Sequence, residues 1–144
     1  MQITEYKKDL FSIGPDNYLV HCISSDFAMG AGIAISFRDR GVKQYLLNHY
    51  PSNYWKGMGY SLLSPIKGYN GVFNLVTKDR YYMKPTYKTI REALTDMKSK
   101  LPTDCKIAMP YIGCGLDKLE WDQVKNIIIE IFNNTNIEIS VCRL

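Results

Sequence analysis

The segment CKIAMPYIGCGLDKLEW, Cys105 to Trp121, joins a short apolar run, a glycine loop and the start of an amphipathic pattern. Residues 105–109 have the length and composition of a buried strand, and the pattern from Trp121 onward is that of a helix. Two glycines bracket Cys114, and their backbone can approach a ligand closely because it carries no Cβ. A strand, loop and helix in this order are typical of α/β domains that bind anions at the loop. A carboxylate, Asp117, follows two residues after Gly115, and an anion-binding loop gives no reason to expect a negative charge there.

Elements of both kinds alternate along the rest of the chain. Strands are predicted at residues 3–6, 18–23, 60–64, 72–77, 105–109 and 137–142. Apolar residues spaced three and four apart predict helices at 87–101 and 121–131, with Glu120 and Asp122 in the first turn of the second. Two further helices are expected at about 30–38 and at 42–49, the latter stopped by Pro51. This order predicts an α/β domain with a mixed sheet covered on both faces.

Length and composition restrict the class of protein. A chain of 144 residues, 46% apolar and 22% charged, fits one soluble globular domain. Without a secretory leader or a long apolar run, we expect neither secretion nor membrane contact. The four cysteines are scattered, which favours reduced thiols over disulfides or zinc. We expect a cytoplasmic monomer, or a nuclear one in a eukaryote, with no metal and no cofactor.

A basic run follows the fourth predicted strand. Between Lys78 and Arg91, five basic residues stand against one acidic residue, Asp79. Such a run is either a solvated helix face or an anion-binding edge. Because tyrosines 81, 82 and 87 are interleaved with the cations, a nucleic-acid surface is a further alternative.

A second glycine loop, SSDFAMGAGIA at residues 24–34, follows the strand at 18–23. Two loops of this kind in one small domain suggest a ligand whose phosphates lie between them. Neither loop has the P-loop pattern or the Gly-x-Gly-x-x-Gly pattern, which argues against ATP hydrolysis and dinucleotide redox chemistry.

Candidate nucleophiles are few. His21 and Cys22 are consecutive strand residues, which point to opposite faces, so they cannot form a catalytic dyad. Cys114 is either a reactive thiolate near a helix N-terminus or a small residue in a turn. No Gly-x-Ser-x-Gly elbow is present.

Three segments, HCISSDFAMGAGIA (21–34), LVTKDRYYMKPTY (75–87) and MPYIGCGLDKLEW (109–121), together resemble a macrodomain. The similarity is to the terminal ADP-ribose protein glycohydrolase branch and extends over nearly the whole chain. It implies a single macrodomain at 1–144, with a three-layer α/β/α sandwich and a mixed six-stranded sheet. It also implies ADP-ribose as the ligand, and ADP-ribosylated protein or nucleic acid as the partner.

The resemblance implies a set of ligand-binding residues. Asp9 matches the aspartate that hydrogen-bonds the adenine amino group; without the resemblance, it is equally well explained as a carboxylate capping a turn. Ser24 matches a ligand-contacting position. One loop around the distal ribose and phosphate corresponds to Gly30, Ala31, Gly32 and Ile33, and the loop whose amides hold the diphosphate corresponds to Ile112, Gly113, Cys114, Gly115 and Leu116.

Two residues match the catalytic pair of that branch, Lys78 and Asp117. A neutral lysine can attack the anomeric carbon of the distal ribose, and neighbouring cations such as Arg80 would favour the neutral form. Asp117 would transfer protons and stabilise cationic character at the sugar. The predicted activity is thus hydrolysis that releases ADP-ribose from acidic side chains, from O-acyl-ADP-ribose or from nucleic-acid bases.

Two alternatives to this activity remain, a non-catalytic reader of ADP-ribose and a phosphatase acting on ADP-ribose 1″-phosphate. The chain also departs from common macrodomain patterns at three places. HCISSD replaces an Asn-Ala-Ala-Asn stretch, KKDLF replaces Lys-Gly-Asp, and VCRL lacks an aromatic residue near the carboxyl end. The last two departures make specificity for adenine less secure than catalysis.

Overall fold

A computed structural model describes residues 1–50 and 57–144. The strands are β1 (Gln2–Lys7), β2 (Asn17–Ser24), β3 (Tyr60–Ser64), β4 (Gly71–Lys78), β5 (Lys106–Met109) and β6 (Glu138–Arg143). The α-helices are α1 (Ala34–Asp39), α2 (Val42–His49), α3 (Tyr87–Lys100) and α4 (Trp121–Phe132), and a short 3₁₀ helix lies at Leu10–Ser12.

The strands of the described residues form one six-stranded sheet in the order β1-β6-β5-β2-β4-β3. Every neighbouring pair is parallel except β3 and β4, which are antiparallel. The predicted mixed sheet is confirmed, and each predicted strand is present with its ends shifted by at most one residue. Cys105 and Ile137, predicted to open strands, instead lie just before β5 and β6.

Helices cover both faces of the sheet. On one face, α3 and α4 pack against residues such as Val20 and Phe73; on the other, α1 and α2 pack against residues such as Leu19 and Ile23. The alternation along β2 follows from the two-residue period of a strand, which sends successive side chains into different layers. The result is the predicted three-layer α/β/α sandwich.

The prediction for α1 was wrong at its start. The helix begins at Ala34 instead of about residue 30, because Gly32 has a left-handed φ of +60° and keeps the preceding segment out of the helix. Helix α2 has the predicted bounds, but Pro51, expected to stop it, lies outside the described residues. Glu120 precedes α4 as its N-cap, so Asp122 alone is the acidic residue in the first turn.

Among the helices of the described residues, α3 is the longest, with 14 residues. Thr86 accepts a hydrogen bond from the Thr89 amide, and the Thr89 hydroxyl accepts one from the Thr86 amide, so the helix begins with a capping box. Ile90, Leu94 and Met97 then face the sheet. Within residues 1–50 and 57–144, no helix combines the length and apolar composition needed to cross a bilayer.

Candidate active site

A cavity of about 1140 Å³ opens where β5, β2 and β4 end. The carboxyl ends of these three parallel strands lie at one edge of the sheet, where open α/β sheets bind ligands. All of the residues predicted to form the site line this cavity: Asp9, Ser24, Gly30, Ala31, Gly32, Ile33, Lys78, Ile112, Gly113, Cys114, Gly115, Leu116 and Asp117. The fold thus brings together residues that are widely separated in the sequence.

Lys78 and Asp117 are in direct contact. The distance from Lys78 Nζ to Asp117 Oδ1 is 2.8 Å, and the two side chains are 17% and 16% exposed. Lys78 is the last residue of β4, whereas Asp117 comes from the loop after β5, and β2 lies between those two strands. The pair therefore spans the end of the central strand at one wall of the cavity.

The end of β2 lies beside this pair. Its register against β4 shifts between Ile23 and Ser24, which places Ser24 beside Lys78. The Ser25 amide then donates to the Lys78 carbonyl over 2.9 Å. Since a bulge changes the direction of a strand locally, this shift positions Ser24 at the cavity wall.

The first glycine loop is anchored by two buried apolar side chains. Phe27 and Met29 are 1% and 4% exposed and have positive φ angles of 55° and 49°. Left-handed backbone is unfavourable for residues with a Cβ, so burial of both side chains must offset this strain. Residues 30–33 line the cavity, and among the described residues their backbone amides donate to no acceptor. These four N–H groups are therefore available to a ligand.

The second glycine loop combines a rigid and an open part. Gly113 has a φ of +73°, and a Cβ there would lie 3.1 Å from Leu119 Cδ1, so the position requires glycine. The amides of Ile112 and Cys114 already donate to the carbonyls of Pro110 and Tyr111. In the described part of the chain, the loop amides without an acceptor are those of Gly113, Gly115, Leu116 and Asp117.

Asp26 does not line the cavity but holds residues that do, and the sequence analysis missed it. Its carboxylate accepts hydrogen bonds from the Ser24 hydroxyl, from the Ala28 amide at 3.1 Å and from the Tyr81 amide at 3.0 Å. Partial burial acts to raise the pKa of this carboxyl, but these bonds and the charge of Arg80 outweigh it and hold the pKa below its ordinary value. Asp26 thereby ties the first glycine loop to the segment after Lys78. The sequence signal was an aspartate within a glycine-rich loop, where the side chain commonly accepts from the amide two residues later in an Asx turn.

The thiols near the pair are poorly suited to act as nucleophiles. Burial, reinforced by the charge of Asp117, raises the pKa of Cys22 to about 12. Burial also raises the pKa of Cys114 to about 11, and its thiol donates to the Ile112 carbonyl over 3.3 Å. Cys114 is thus a turn residue, the second of the two alternatives. Within the described residues, no group of three or more His, Cys, Asp or Glu side chains is arranged to hold a metal ion.

His21 lies on the opposite face from Cys22, as predicted. Its ring stacks on Phe37 of α1 with centroids 3.9 Å apart, and its Nε2 lies 2.6 Å from Asn74 Oδ1. Burial lowers its pKa to about 4. His21 is therefore a neutral core residue and does not take part in the cavity.

Asp9 caps a turn at the far end of the cavity. Its Oδ1 accepts from the Phe11 amide over 3.0 Å at the start of the 3₁₀ helix, so the capping explanation is correct. No hydrogen bond to the other oxygen, Oδ2, is present in the described residues, which leaves it available to a ligand. Cys142, in the VCRL segment, also lines the cavity and is buried at 3% exposure.

Two cations of the basic run that begins at Lys78 have partners within the protein. Lys84 donates to the Leu116 carbonyl over 2.9 Å, and Arg91 pairs with Glu130 over 2.7 Å. The Tyr87 hydroxyl accepts from the Glu120 amide. The exposed aromatic side chains are instead those of Tyr81 and Tyr82, at 65% and 71% exposure.

Comparisons with known proteins agree with this geometry. No protein-family model matches the chain. It is 42% identical over 146 aligned residues to the ADP-ribose glycohydrolase OARD1 of Bos taurus, which covers 99% of this chain and 92% of that protein. The macrodomain of Mycobacterium tuberculosis DarG superposes with a TM-score of 0.82 at 19% identity, over 99% and 98% of the two chains. Thermosipho africanus DarTG, solved in complex with ADP-ribose, superposes with a TM-score of 0.80 at 17% identity, over 99% of this chain and 42% of that one.

The three-layer sandwich, with its cavity between two glycine loops, has the fold of a macrodomain. Identity of 42% over nearly the full length of both proteins goes further than the fold. The chain belongs to the family of the ADP-ribose glycohydrolase OARD1. The resemblance stated from the three sequence segments is confirmed.

Proposed function

We propose that this protein is an ADP-ribosyl hydrolase in which Lys78 and Asp117 perform the chemistry. The observation that carries the proposal is the 2.8 Å contact between Lys78 Nζ and Asp117 Oδ1 at the wall of the cavity. Membership in the family of an ADP-ribose glycohydrolase supports the same activity. The free amides of the two glycine loops supply donors for a diphosphate, and the unbonded oxygen of Asp9 supplies an acceptor for the adenine amino group.

The first step is displacement at the anomeric carbon, C1″, of the distal ribose. Asp117 accepts a proton from the Lys78 ammonium, and the neutral amine attacks C1″ with its lone pair. The bond from C1″ to the carboxylate oxygen of the modified side chain breaks, and the carboxylate leaves with the bonding electrons. Because the two side chains are mostly buried, few water molecules reach the lysine nitrogen and hydrogen-bond to it before substrate binds.

The second step returns the enzyme to its starting state. The C1″–O4″ bond opens as a proton passes from the lysine nitrogen to O4″, which leaves a protonated imine between C1″ and that nitrogen. Asp117 releases the proton it took in the first step to solvent and is again a carboxylate. Water adds to C1″, with Asp117 as the base, and the C1″–N bond then breaks. Lys78 is released as the amine and takes up the proton that Asp117 accepted from water, which restores the ammonium and the carboxylate. The product is free ADP-ribose. No group outside the Lys78–Asp117 pair and water is required for the balance of atoms.

Two of the three candidate substrates share this chemistry, ADP-ribose esterified to glutamate or aspartate and ADP-ribose on a nucleic-acid base, because C1″ carries the leaving group in both. In O-acyl-ADP-ribose the ester is on a neighbouring hydroxyl of the distal ribose, so its release breaks the acyl C–O bond instead, with water as the nucleophile. We propose the acidic side chain as the principal substrate, because a carboxylate leaves readily without further protonation.

A substrate panel tests the proposal. Each substrate is incubated with wild type, Lys78→Ala and Asp117→Ala, and free ADP-ribose is followed by mass spectrometry. The matched controls are Lys67→Ala, on the turn between β3 and β4, and Asp122→Ala, in the first turn of α4; neither residue lines the cavity. We expect at least a hundredfold loss in each pair variant, the order of magnitude for a positioned nucleophile or acid–base group, and wild-type rates in both controls.

Three other results would overturn the proposed activity or the roles of its two residues. Full activity in both pair variants would refute the catalytic roles of Lys78 and Asp117. ADP-ribose binding by calorimetry, with no turnover of any substrate by wild type, would make the protein a reader. Phosphate release from ADP-ribose 1″-phosphate, with no release of ADP-ribose from the other substrates, would make it a phosphatase.

A further inference from the structure

Three cationic residues line the end of the cavity that holds Asp9. They are Lys8, Arg40 and Arg143, contributed by three different parts of the chain. Arg143 is the last residue of β6 and is paired in register with Lys7, one residue before Lys8. Lys8 lies in KKDLF, where the common macrodomain pattern is Lys-Gly-Asp, and Arg143 lies in VCRL.

Aromatic rings hold two of these cations close to Asp9. The Arg40 guanidinium carbon lies 3.7 Å from the centroid of Phe11, whose amide is bonded to Asp9. The Lys8 ammonium lies 4.7 Å from the centroid of Tyr6. Cation–π contacts of this kind fix the direction of a charge without neutralising it.

These cations exceed the negative charge around them. Across residues 1–50 and 57–144, no ion pair includes Lys8, Arg40 or Arg143. Elsewhere in the cavity, Lys78 and Asp117 neutralise each other. Among the side chains, three cations and one carboxylate, Asp9, leave this end of the cavity with an excess of positive charge. An excess of positive charge at a concave surface attracts anions.

The diphosphate of ADP-ribose does not account for this cluster. In the proposed function, the diphosphate lies against the amides of the two glycine loops, and Asp9 contacts the adenine. The group that lies between adenine and diphosphate is the adenosine ribose, whose hydroxyls can carry a phosphate. Guanidinium groups suit a phosphate monoester, because their paired N–H donors match its oxygens.

We propose that this end of the cavity binds a second phosphate, carried on the adenosine ribose of the ligand. The preferred ligand is then 2′-phosphorylated ADP-ribose, the ADP-ribosyl unit of a 2′-phosphorylated dinucleotide. The inference rests on the proposed function, since it assumes that ADP-ribose occupies the cavity with its adenine at Asp9.

Calorimetry with two ligands tests the inference. ADP-ribose and 2′-phospho-ADP-ribose are titrated into wild type, the double variant Lys8→Gln/Arg143→Gln and the control Lys67→Gln. We expect the phosphorylated ligand to bind wild type roughly tenfold more tightly at low salt, the sum of a few partly exposed charge pairs, with a smaller ratio at high salt. The ratio of the two affinities should fall toward one in the double variant, which keeps only Arg40 of the three cations, and should keep its wild-type value in Lys67→Gln.

Several results would overturn the inference. Equal affinities for the two ligands in wild type, with ADP-ribose still bound, would refute it while leaving the proposed function intact. An undiminished ratio in the double variant would refute the assignment to these cations. A gain for an ADP-ribose dimer, whose adenosine ribose carries a second sugar instead of a phosphate, without a gain for the monophosphate would also refute it. Failure of both ligands to bind wild type would overturn the proposed function, and this inference with it.

Discussion

Protonation of His21 should destabilise the fold in mild acid. The ring is fully buried between Phe37 and Asn74. The Asn74 amide nitrogen donates to the Leu62 carbonyl and the Ser64 hydroxyl, each over 3.0 Å, and this orients Asn74 Oδ1 toward His21. His21 must therefore donate at Nε2. A second proton would go to Nδ1, which is buried without an acceptor in the described residues.

The size of the effect follows from the pKa of His21. Burial lowers it from 6.5 in the unfolded chain to about 4 in the fold. Between these values the unfolded chain holds a proton that the folded one lacks, so stability present above 6.5 is lost as the pH falls toward 4. At about 1.36 kcal/mol per pH unit, the complete loss is about 3.4 kcal/mol, of which about 2.4 kcal/mol falls between pH 7 and pH 4.5.

Urea unfolding at those two pH values measures this loss. The variant His21→Gln keeps a donor for Asn74 but has no titrating ring, and the exposed His49 gives the control variant His49→Gln. We expect the difference in unfolding free energy between wild type and His21→Gln to shrink by about 2.4 kcal/mol at the lower pH. His49→Gln should follow wild type. The same pH dependence in wild type and His21→Gln would refute the reasoning, as would an imidazole of His21 that titrates near its ordinary value by NMR.

Three further predictions concern the cavity. Gly113→Ala should lower the unfolding free energy measured in urea by about 2–4 kcal/mol, because the new side chain meets both a positive φ and a Cβ clash. Gly115→Ala should change it by less than about 0.5 kcal/mol, because no atom lies within 4 Å of the new Cβ. Equal losses would contradict the strain argument. Asp26→Asn should reduce kcat roughly tenfold in steady-state assays, because the carboxylate that joins the segments carrying Ser24 and Lys78 is lost. The control Asp39→Asn, at an exposed position, should leave kcat unchanged. An unchanged kcat in Asp26→Asn would exclude a positioning role. Cys114→Ser should keep kcat within about twofold of wild type, since its thiol is protonated at neutral pH; a large loss would restore the thiolate as a candidate nucleophile.

The layer architecture was predictable from local patterns. Each strand is a short apolar run bounded by turn formers, and the stripes of α3 and α4 have the helical period over three turns. The start of α1 was not predictable in this way. The sequence GAGIA is compatible with a helix, and only the left-handed Gly32 and the buried anchors Phe27 and Met29 keep it as a loop.

Contacts across the sheet were beyond local patterns. The bond between His21 and Asn74 depends on the register of β2 against β4, which pairs these two residues. Asp26 likewise gains its third partner, Tyr81, from a segment 55 residues away. The pairing of Lys78 with Asp117 was expected from the resemblance alone, because nothing in the spacing of 39 residues brings their side chains together.

Trapping of the covalent intermediate tests the role of Lys78 most directly. Wild type, Lys78→Arg and Lys84→Arg are each incubated with a peptide ADP-ribosylated on glutamate in the presence of cyanoborohydride, which reduces an imine to a stable amine. Peptide mapping by mass spectrometry should find the ADP-ribosyl adduct on Lys78 in wild type and in Lys84→Arg, and no adduct in Lys78→Arg. Turnover of the peptide with no adduct at Lys78, or an adduct on another lysine in all three proteins, would contradict the account.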